Sequence, residues 1–489
     1  MKIQVMQGVL NPARFSVGEG DCACDSPSSL VENGDCACDS PLQKVVNDHP
    51  GIPLPSGTSS YSLLSFAMFT PEGDGVTALQ PENITPLYRL APIKPVSTHS
   101  PVHSLPELFP ILTPASDLPC LKTLSAWFHL TDRCNLRCDY CYLPHHSQDM
   151  NAATGYSAVQ ALFRSANLHA YPRVKIMYAG GEPLLRFPLI LELHEQARTL
   201  ANSHKIFLEE TVLSNGTLLT VHMIRALKDR NIRLMISMDG MGAWHNSQRR
   251  FSDGKGSFDK VSRAVELALA HGIRPNISIT VTGRNAAGLA ELMAWILERE
   301  LPFQLNFYRQ SVLSQSHTDL QLENEAILSG IQSALKVVEN NLPRFSLLSI
   351  LDRTTLAYPH TLPCGAGSDY LVFTPQGEVA QCQMLLHQPV TNVFAADPLS
   401  HVRANQTRFR NPPVDERGEC AACPWRYWCG GGCPLETRRM MGSPYHRSPN
   451  CQIYQTILPE LIRLEGLRLL QYVSDPEVVR IQDLEIQPV

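Results

Sequence analysis

Residues 128–142 read FHLTDRCNLRCDYCY, and this stretch decides how the rest of the chain is interpreted. An apolar, strand-forming run ends here, and Cys134, Cys138 and Cys141 follow it at a C-x3-C-x2-C spacing. Three thiolates on one short loop can hold three irons of a cubane iron–sulfur cluster, which leaves the fourth iron without a protein ligand. The motif therefore predicts a cluster with one iron open to a small molecule.

A structural zinc site is the alternative interpretation of the same loop. Structural zinc takes four Cys or His ligands at short spacings. His145 and His146 follow the third cysteine closely enough to complete such a set. The loop alone leaves both interpretations open, so the rest of the chain has to separate them.

The composition indicates a folded protein with no signature of nucleic-acid or membrane binding. The chain has 489 residues, which is enough for two or three domains, and 44% are hydrophobic. Its 41 basic and 46 acidic residues give a net charge of −5 without a basic block, so we expect no nucleic-acid partner. We find no apolar run long enough to span a membrane and no secretory signal core. We therefore expect a cytoplasmic protein.

Residues 121–320 alternate strand-like and helical patterns. The strand-like runs are 124–130, 174–178, 206–213, 232–238, 277–281 and 303–307, and the helical patterns are 158–168, 189–201, 221–229, 258–270 and 287–298. This alternation predicts an α/β fold with a parallel sheet, and six units predict a partial (β/α)6 TIM-like barrel. In such barrels the chemistry lies on loops after the carboxyl ends of the strands. The cysteine loop follows the first strand, as this rule requires.

The cysteine loop resembles the signature of radical S-adenosylmethionine (SAM) enzymes, including the aromatic residue before the third cysteine. Stretches after later strands resemble the same family: Gly180, Gly181 and Glu182 after the second, residues 214–217 after the third, and Ser237 with Arg249 after the fourth. The resemblance implies that SAM binds the open iron and yields a 5′-deoxyadenosyl radical. That radical would take a hydrogen atom from an unactivated carbon.

The resemblance also implies which residues contact SAM. Tyr140 would pack near the adenine, and the stretch Gly180-Gly181-Glu182 would surround the amino group. Ser237 and Arg249 would hold the ribose and the carboxylate. Arg250 could replace Arg249, because two arginines stand here where relatives have one.

Seven further cysteines lie in the last third of a chain that has fifteen in all. They are Cys364, Cys382, Cys420, Cys423, Cys429, Cys433 and Cys451. An odd, clustered set favours metal ligation over disulfides, and a zinc ribbon would explain only four of them. The layout, with Gly377 as a spacing glycine, resembles the SPASM domain, an extension of radical SAM enzymes that carries two auxiliary [4Fe–4S] clusters.

The SPASM resemblance implies two ligand sets. Four cysteines would hold one complete cluster: Cys420, Cys423, Cys429 and Cys451. Three would hold the other: Cys364, Cys382 and Cys433. A non-cysteine group or water could complete the second cluster, or its open iron could bind a substrate thiolate.

Most radical SAM/SPASM proteins modify peptides or proteins, so the resemblance implies a maturase with a peptide or protein substrate. Because auxiliary clusters can accept electrons released by cross-linking, we expect a thioether or other cross-link. The alternatives are a redox-neutral peptide epimerase and Cys or Ser oxidation of the anaerobic sulfatase-maturase type. We also expect a reductant such as flavodoxin or ferredoxin.

The N-terminal 57 residues contain two near-copies of one motif. GDCACDSP occurs at 20–27 and again at 34–41, in a stretch whose composition predicts a flexible arm. The arm resembles a Cys/Asp-rich precursor peptide, so it could be a substrate segment; alternatively it binds metal loosely or has no role. We expect a small domain over 58–120 that could recognise the peptide, the barrel over 121–320, the SPASM domain over 321–455 and a helical tail over 456–489.

Overall fold

The computed structural model describes residues 66–69, 76–79, 122–321, 323–405 and 409–472. The repeated arm lies outside the described residues, as does most of the small domain expected over 58–120. Two strands are described there, β1 (Phe66–Phe69) and β2 (Val76–Leu79), and they pair antiparallel.

Six parallel strands form the centre of the molecule. They are β3 (Thr123–His129), β4 (Arg173–Ala179), β5 (Phe207–Ser214), β6 (Arg233–Ser237), β7 (Asn276–Val281) and β8 (Phe303–Phe307). Each overlaps a strand predicted from the sequence, and they pair in chain order from β3 to β8. The predicted α/β fold with a parallel-rich sheet is therefore confirmed.

Helices connect these strands and continue beyond them. They are α1 (Ala152–Leu168), α2 (Phe187–His204), α3 (Val221–Asp229), α4 (Gly242–Asn246), α5 (Phe258–Ala270), α6 (Leu289–Glu298), α7 (Asn324–Asn340), α8 (Pro398–Ala404), α9 (Arg426–Cys429), α10 (Pro434–Met441) and α11 (Cys451–Gln471). In the part of the chain that the structure describes, no helix is long and apolar enough to cross a membrane.

Three short strands attach the cysteine-rich region to the first strand of the sheet. They are β9 (Tyr370–Phe373), β10 (Glu378–Ala380) and β11 (Thr391–Asn392). β9 pairs parallel with β3, and β10 and β11 follow antiparallel. Gly377 adopts a φ of 81° in the turn between β9 and β10, which suits glycine. Cys364 precedes and Cys382 follows this hairpin, so both cysteines lie beside the sheet.

Alternate side chains of β3 enter two different cores. Leu124, Ala126 and Phe128 join the large core beneath the helices. Trp127 belongs to a second core that includes Met177 of β4 and cysteines of the C-terminal region. This period of two is expected for a strand covered on both faces. The face opposite the helices, which we call the inner face, is therefore covered partly by the cysteine-rich region.

The last described helix is fixed to the protein by a buried ion pair. Glu465 and Arg468 are 2% and 3% exposed and lie 2.7 Å apart. The Glu465 carboxylate also accepts hydrogen bonds from the Ser346 hydroxyl at 3.0 Å and the Leu347 amide at 2.9 Å. The helical tail predicted from residue 456 thus begins earlier, at Cys451, and residues 473–489 lie outside the described part.

Replacing Glu465 with Ala should destabilise the protein strongly. The substitution leaves a buried guanidinium without its counter-ion, which costs about 3–5 kcal/mol. The measurement is the free energy of unfolding from urea denaturation. Glu195→Ala is the matched control, because Glu195 pairs with Arg198 in an exposed i,i+3 pair that should contribute no more than about 1 kcal/mol. Equal losses in the two variants would contradict the assigned role of the buried pair.

Candidate iron–sulfur and cofactor site

The backbone of the cysteine loop rests directly on the turn after β4. The Gly181 amide donates a hydrogen bond to the Thr131 carbonyl at 2.6 Å, and the Glu182 amide donates to the Arg133 carbonyl at 2.9 Å. These bonds continue the β3–β4 pairing past the ends of both strands. The first cysteine is therefore held at the carboxyl edge of the sheet by main-chain contacts.

The two glycines of this turn are required by that close approach. A Cβ added to Gly180, whose φ is 146°, would lie 2.5 Å from the Thr131 carbonyl oxygen, and one added to Gly181 would overlap the Arg133 carbonyl. The sequence led us to expect glycines that let the backbone approach a ligand. The described contacts give a further reason, which is that the turn and the cysteine loop touch along their backbones.

Glu182 connects three loops of the site. Its carboxylate accepts hydrogen bonds from the Leu184 amide at 3.0 Å, from the Ser214 hydroxyl at 2.8 Å and from the Asn215 amide at 2.8 Å. The side chain is fully buried, and this burial raises the pKa of the carboxyl. Its expected contact with the amino group of SAM stays a prediction, and the structure gives it a second role in fixing the loop after β5.

An amide network that sequence reasoning missed joins the loop after β5 to the cysteine loop. The Asn215 side-chain amide donates to Asn135 Oδ1 at 3.0 Å and lies 3.8 Å from Cys134 Sγ. Asn135 in turn donates to the Thr217 hydroxyl at 2.7 Å. The only sequence signal was the family-like run at 214–217. A hydrogen-bond donor close to a ligating sulfur is one way in which a protein changes the reduction potential of a cluster.

Tyr140, Arg249 and Asp239 form a buried triad next to the cysteine loop. The Tyr140 hydroxyl donates to Asp239 Oδ2 at 2.6 Å, and Arg249 donates to the Tyr140 oxygen. Asp239 also accepts from the Thr280 amide and from Gln248. The structure thus brings together Tyr140 and Arg249, the two predicted SAM contacts that lie far apart in sequence. Asp239 is the carboxylate that connects these loops.

The structure separates the two adjacent arginines. Arg249 is 6% exposed, and its Nε has no hydrogen-bond partner within the described residues. The Arg250 side chain is 43% exposed and pairs with Asp139 at 3.1 Å. Arg249 is therefore the arginine with unused donor capacity inside the site. Ser237 ends β6 on the same edge and is half-buried.

The three loop cysteines lie close enough to influence one another. Burial, and then the neighbouring charges, raises the pKa of Cys134 to about 11 and of Cys138 to about 12, and burial also raises the pKa of Cys141. The positive charge of Arg249 acts against this rise in pKa at each of the three thiols. Without iron these thiols are protonated, so metal binding releases protons. A cationic arginine beside three thiolates suits an iron–sulfur centre.

The described residues do not contain a preformed site for a single metal ion. No three His, Cys, Asp or Glu side chains among them converge as ligands of one ion. His145 is half-buried and His146 is exposed. Thiolates that bind different irons of a cubane lie farther apart than thiolates around one zinc. The donor set therefore fits a cluster better than the zinc alternative.

The C-terminal cysteines influence one another within two groups. Cys420, Cys423 and Cys451 all act on the Cys429 thiol, whose pKa burial raises to about 12. Cys364 and Cys433 act in the same way on Cys382, whose pKa is also raised by burial to about 12. These seven cysteines and the three loop cysteines are free of disulfides. Their roles as ligands remain predictions.

A pocket is lined by the complete set of four C-terminal cysteines. Cys420, Cys423, Cys429 and Cys451 share its wall with Arg447 and Tyr454, and its empty volume, including solvent at the mouth, is 460 Å³. The chemistry of the wall, with four thiols, fits a cubane cluster.

Tyr142 follows the third loop cysteine and also lies near the second cysteine set. Its hydroxyl is buried, which raises its pKa, and the charges of Cys141 and Cys382 raise it further. Arg353 and Arg309 act in the opposite sense. One side chain thus lies within electrostatic reach of both predicted iron centres.

Comparison with known proteins agrees with this site. Residues 128–296 match the profile of the radical SAM superfamily. This range begins at the end of β3 and covers the cysteine loop, the glycine turn, the Glu182 carboxylate and the Tyr140–Arg249 pair.

Similar proteins include one that is named for sulfatase maturation and one that is named for subtilosin biosynthesis. The cysteine-type anaerobic sulfatase-maturating enzyme of Clostridium perfringens strain 13 is 24% identical over 358 residues, which is 66% of this chain and 91% of that protein. The antilisterial bacteriocin subtilosin biosynthesis protein AlbA of Bacillus subtilis strain 168 is 25% identical over 349 residues, 67% and 70% of the two chains. An uncharacterised protein of Methanocaldococcus jannaschii is 28% identical, and the match spans 56% of its length.

A solved structure has the same fold. Native anSMEcpe with bound AdoMet and Cp18Cys peptide superposes with a TM-score of 0.57 at 20% identity, covering 71% of this chain and 99% of that one. At this identity the likeness concerns the fold alone. It extends beyond the 128–296 match to most of the described residues.

Replacing Arg249 should weaken SAM binding far more than replacing Arg250. Loss of a charged hydrogen-bond donor costs about 1.5–3 kcal/mol, so Arg249→Ala should weaken binding roughly ten- to a hundredfold. Arg250→Ala, the matched control, removes a largely exposed ion pair and should change binding little. The measurement is equilibrium dialysis of SAM with anaerobically reconstituted protein of equal iron content. The reverse order of effects would assign the cofactor contact to Arg250.

Proposed function

We propose that this chain, which is a radical SAM enzyme, modifies a residue of a peptide or protein after removing a hydrogen atom from it. The superfamily match covers the cysteine loop and its supporting residues. Relatives that align with two thirds of the chain are named for sulfatase maturation and for subtilosin biosynthesis. Both names describe changes made to a polypeptide, which supports a polypeptide substrate here.

The observation that carries this proposal is the cysteine loop, which the Gly181 and Glu182 amides hold at the carboxyl edge of the sheet beside the Tyr140–Arg249 pair. A second group of cysteines lies within electrostatic reach of this loop, because the charges of Cys141 and Cys382 both act on the Tyr142 hydroxyl. A substrate residue beside Tyr142 would lie near both centres. An enzyme that only cleaves SAM would have no use for a second centre so close to the first.

The residues of the chain have distinct roles in the proposed reaction. SAM and the cluster at the cysteine loop supply a 5′-deoxyadenosyl radical that abstracts one hydrogen atom. Cys134, Cys138 and Cys141 bind the cluster and leave one iron for SAM. Gly180, Gly181, Glu182, Ser237, Arg249 and Tyr140 orient SAM around that iron. The covered inner face excludes water from the reacting carbon.

The architecture proposed for this reaction is a partial (β/α)6 barrel with a SPASM domain. Six parallel strands in chain order, with connecting helices, support the barrel. The two groups of cysteines around Cys382 and Cys429 support two auxiliary [4Fe–4S] clusters. The attachment of β9 to β3 supports an arrangement in which one auxiliary cluster lies beside the inner face.

The bond that we favour is a thioether between a cysteine sulfur and a carbon of the substrate. A carbon that carries hydrogen and a cysteine thiol together lose two hydrogen atoms when the sulfur–carbon bond forms. One hydrogen atom passes to the 5′-deoxyadenosyl group of SAM, whose sulfonium bond has been broken. The other leaves as a proton, and its electron passes to an auxiliary cluster. A reductant of the flavodoxin or ferredoxin class supplies the electron that starts the first turnover.

The second cysteine set suggests how the substrate thiol is held. Cys364, Cys382 and Cys433 provide three ligands, so a substrate thiolate can provide the fourth. Arg309 and Arg353 lie near this set and would favour an anionic sulfur. A Cys-containing peptide with acidic residues, such as one resembling the N-terminal repeats, would suit both features.

The second candidate function is oxidation of a Cys or Ser residue of the anaerobic sulfatase-maturase type. A cysteine-type and a serine-type anaerobic sulfatase-maturating enzyme are both among the similar proteins, which favours it. It requires a carboxylate or similar base next to the substrate. Asp239 is held by Tyr140 and Gln248, and Asp352 is paired with Arg309 at 2.6 Å. Glu436 is a third buried carboxyl near Arg309, and burial raises its pKa to about 7, so product mass has to decide between the two functions.

Product mass distinguishes these functions. The anaerobic enzyme, given SAM, a reductant and a Cys/Asp-rich peptide, should remove the mass of two hydrogen atoms per cross-link, and the thiol should no longer alkylate. Oxidation of a cysteine to formylglycine would instead replace sulfur by oxygen and also remove two hydrogen atoms. Oxidation of a serine would remove two hydrogen atoms but leave every thiol able to alkylate, and epimerisation would leave the mass unchanged. Mass spectrometry of the enzyme itself, over residues 15–45, tells whether its own arm is modified. Cleavage of SAM with no change in any peptide would contradict the proposed class.

Iron content tests the number of clusters. Three cubanes predict about twelve irons per chain. Replacing Cys134, Cys138 and Cys141 with Ala should remove about four irons. Replacing both Cys420 and Cys429 with Ala should also remove about four. The electron paramagnetic resonance signal that is lost with Cys382→Ala should change when a Cys-containing peptide is added, and a Ser-containing peptide is the control. A total of about four irons would refute the auxiliary clusters, and an unchanged signal would refute thiolate binding.

A further inference from the structure

Arg417 is the largest fully buried side chain of the described residues. Its Nη1 donates to the Gly431 carbonyl at 2.7 Å and to the Gly432 carbonyl at 3.1 Å, and its Nε donates to the Pro412 carbonyl at 3.2 Å. Its Nη2 is buried and has no hydrogen-bond partner within the described residues. A guanidinium with an unused donor in the interior requires an explanation.

The described structure gives this cation no carboxylate partner. Ion pairs are described for other arginines of the region, such as Arg309 with Asp352 and Arg426 with Asp415, but none among the described residues involves Arg417. Removing an isolated charge from water costs several kcal/mol even after the protein relaxes. Neutral carbonyl groups offset only part of this cost. The missing counter-charge therefore has to come from groups close to the side chain.

The ionisable groups near Arg417 are cysteines of both C-terminal sets. Its pKa is lowered by burial and raised by the charges of four thiols. Cys420 and Cys429 belong to the set of four, and Cys364 and Cys433 belong to the set of three. The guanidinium therefore lies between the two predicted auxiliary clusters.

The peptide segment that joins the two sets is folded around this guanidinium. Residues 429–433 read CGGGC, so one cysteine of each set flanks three glycines. All three glycines have a positive φ, at 53°, 80° and 69°, a conformation that side chains rarely adopt. A Cβ on Gly431 would lie 2.7 Å from Arg417 Nη1. The segment is therefore shaped to bring two carbonyl groups onto the arginine.

We propose that Arg417 is a fixed positive charge shared by the two auxiliary clusters, with its Nη2 donating to a sulfur of one of them. The proposal rests on the auxiliary clusters of the proposed function, and it concerns how they accept an electron rather than whether they exist. A cluster bound by thiolates is anionic, which supplies the counter-charge that the described protein lacks.

This placement has a definite electrostatic effect. Each electron that a cluster accepts makes it more negative, and a nearby cation stabilises the reduced state. Hydrogen bonds to cluster sulfurs act in the same direction and are among the factors that set the potential. Arg417 therefore raises the reduction potentials of both clusters. An electron released on cross-link formation is then accepted more readily, so Arg417 is a positioning and tuning residue.

The test is a redox titration of the reconstituted full-length enzyme, followed by electron paramagnetic resonance. Arg417→Met, which keeps an unbranched side chain and removes its charge, should lower the midpoint potentials of both auxiliary clusters. We expect at least a tenfold change in the equilibrium constant for reduction, which is about 59 mV for one electron. Arg417→Lys should retain most of the wild-type potentials. The ratio of SAM cleaved to peptide product should rise in the Met variant only.

Arg447→Met is the matched control. Arg447 lines the pocket of the four cysteines, but it pairs with Glu419 at 3.2 Å and its side chain is 59% exposed. Screening by solvent should make its effect on the potentials small.

Several outcomes would overturn the proposal. Unchanged potentials in Arg417→Met, a shift at one cluster alone, or an equal shift in the Arg447 control would each contradict a shared charge. If the Met and Lys variants both lose the same iron while keeping their helical content, Arg417 serves packing and the proposal is wrong. A wild-type protein with about four irons would instead refute the auxiliary clusters themselves, so the two failures are distinguishable by iron analysis.

Discussion

The site depends on one backbone contact, the seating of the cysteine loop on the Gly180-Gly181 turn. The contact leaves no room for a side chain at either glycine. It fixes the loop after the first strand to the loop after the second, and Glu182 then fixes the second to the third through Ser214 and Asn215. Each loop is held by its neighbour at the carboxyl edge of the sheet, so the geometry around the open iron is set by the sheet itself.

A second constraint is the charge balance of the buried site. Arg249 offsets Asp239 at 3.6 Å and lies close to the loop cysteines, whose ligation of iron adds negative charge. Arg309 is neutralised by Asp352, whereas no ion pair among the described residues involves Arg417, whose pKa is raised by the charges of four thiols. The difference matters because a carboxylate of the protein compensates the charge of Arg309 before any metal binds. At Arg417, the proposed anionic clusters would compensate the positive charge.

The fold could be predicted from the sequence to the extent that it depends on local pattern. All six parallel strands were predicted, because each is an apolar run bounded by turns. α1 begins six residues before its predicted start, because Asn151 caps it by accepting a hydrogen bond from the Thr154 amide at 2.8 Å. The pairing of β9 with β3 could not be predicted, because it joins residues far apart in the chain and has no local signature.

The same distinction separates the predicted site residues from those that were missed. Cysteine spacing carries the chemistry of ligation, so both C-terminal sets were assigned from sequence and lie together in the structure. Arg417 and Asn215 have no such spacing, and an arginine in a loop between cysteines looks like an ordinary solvated charge. What reveals Arg417 is burial without a carboxylate partner in the described structure. The burial of Arg417 depends on the CGGGC segment folding around its side chain. It could not be predicted from the sequence, because it has no local pattern.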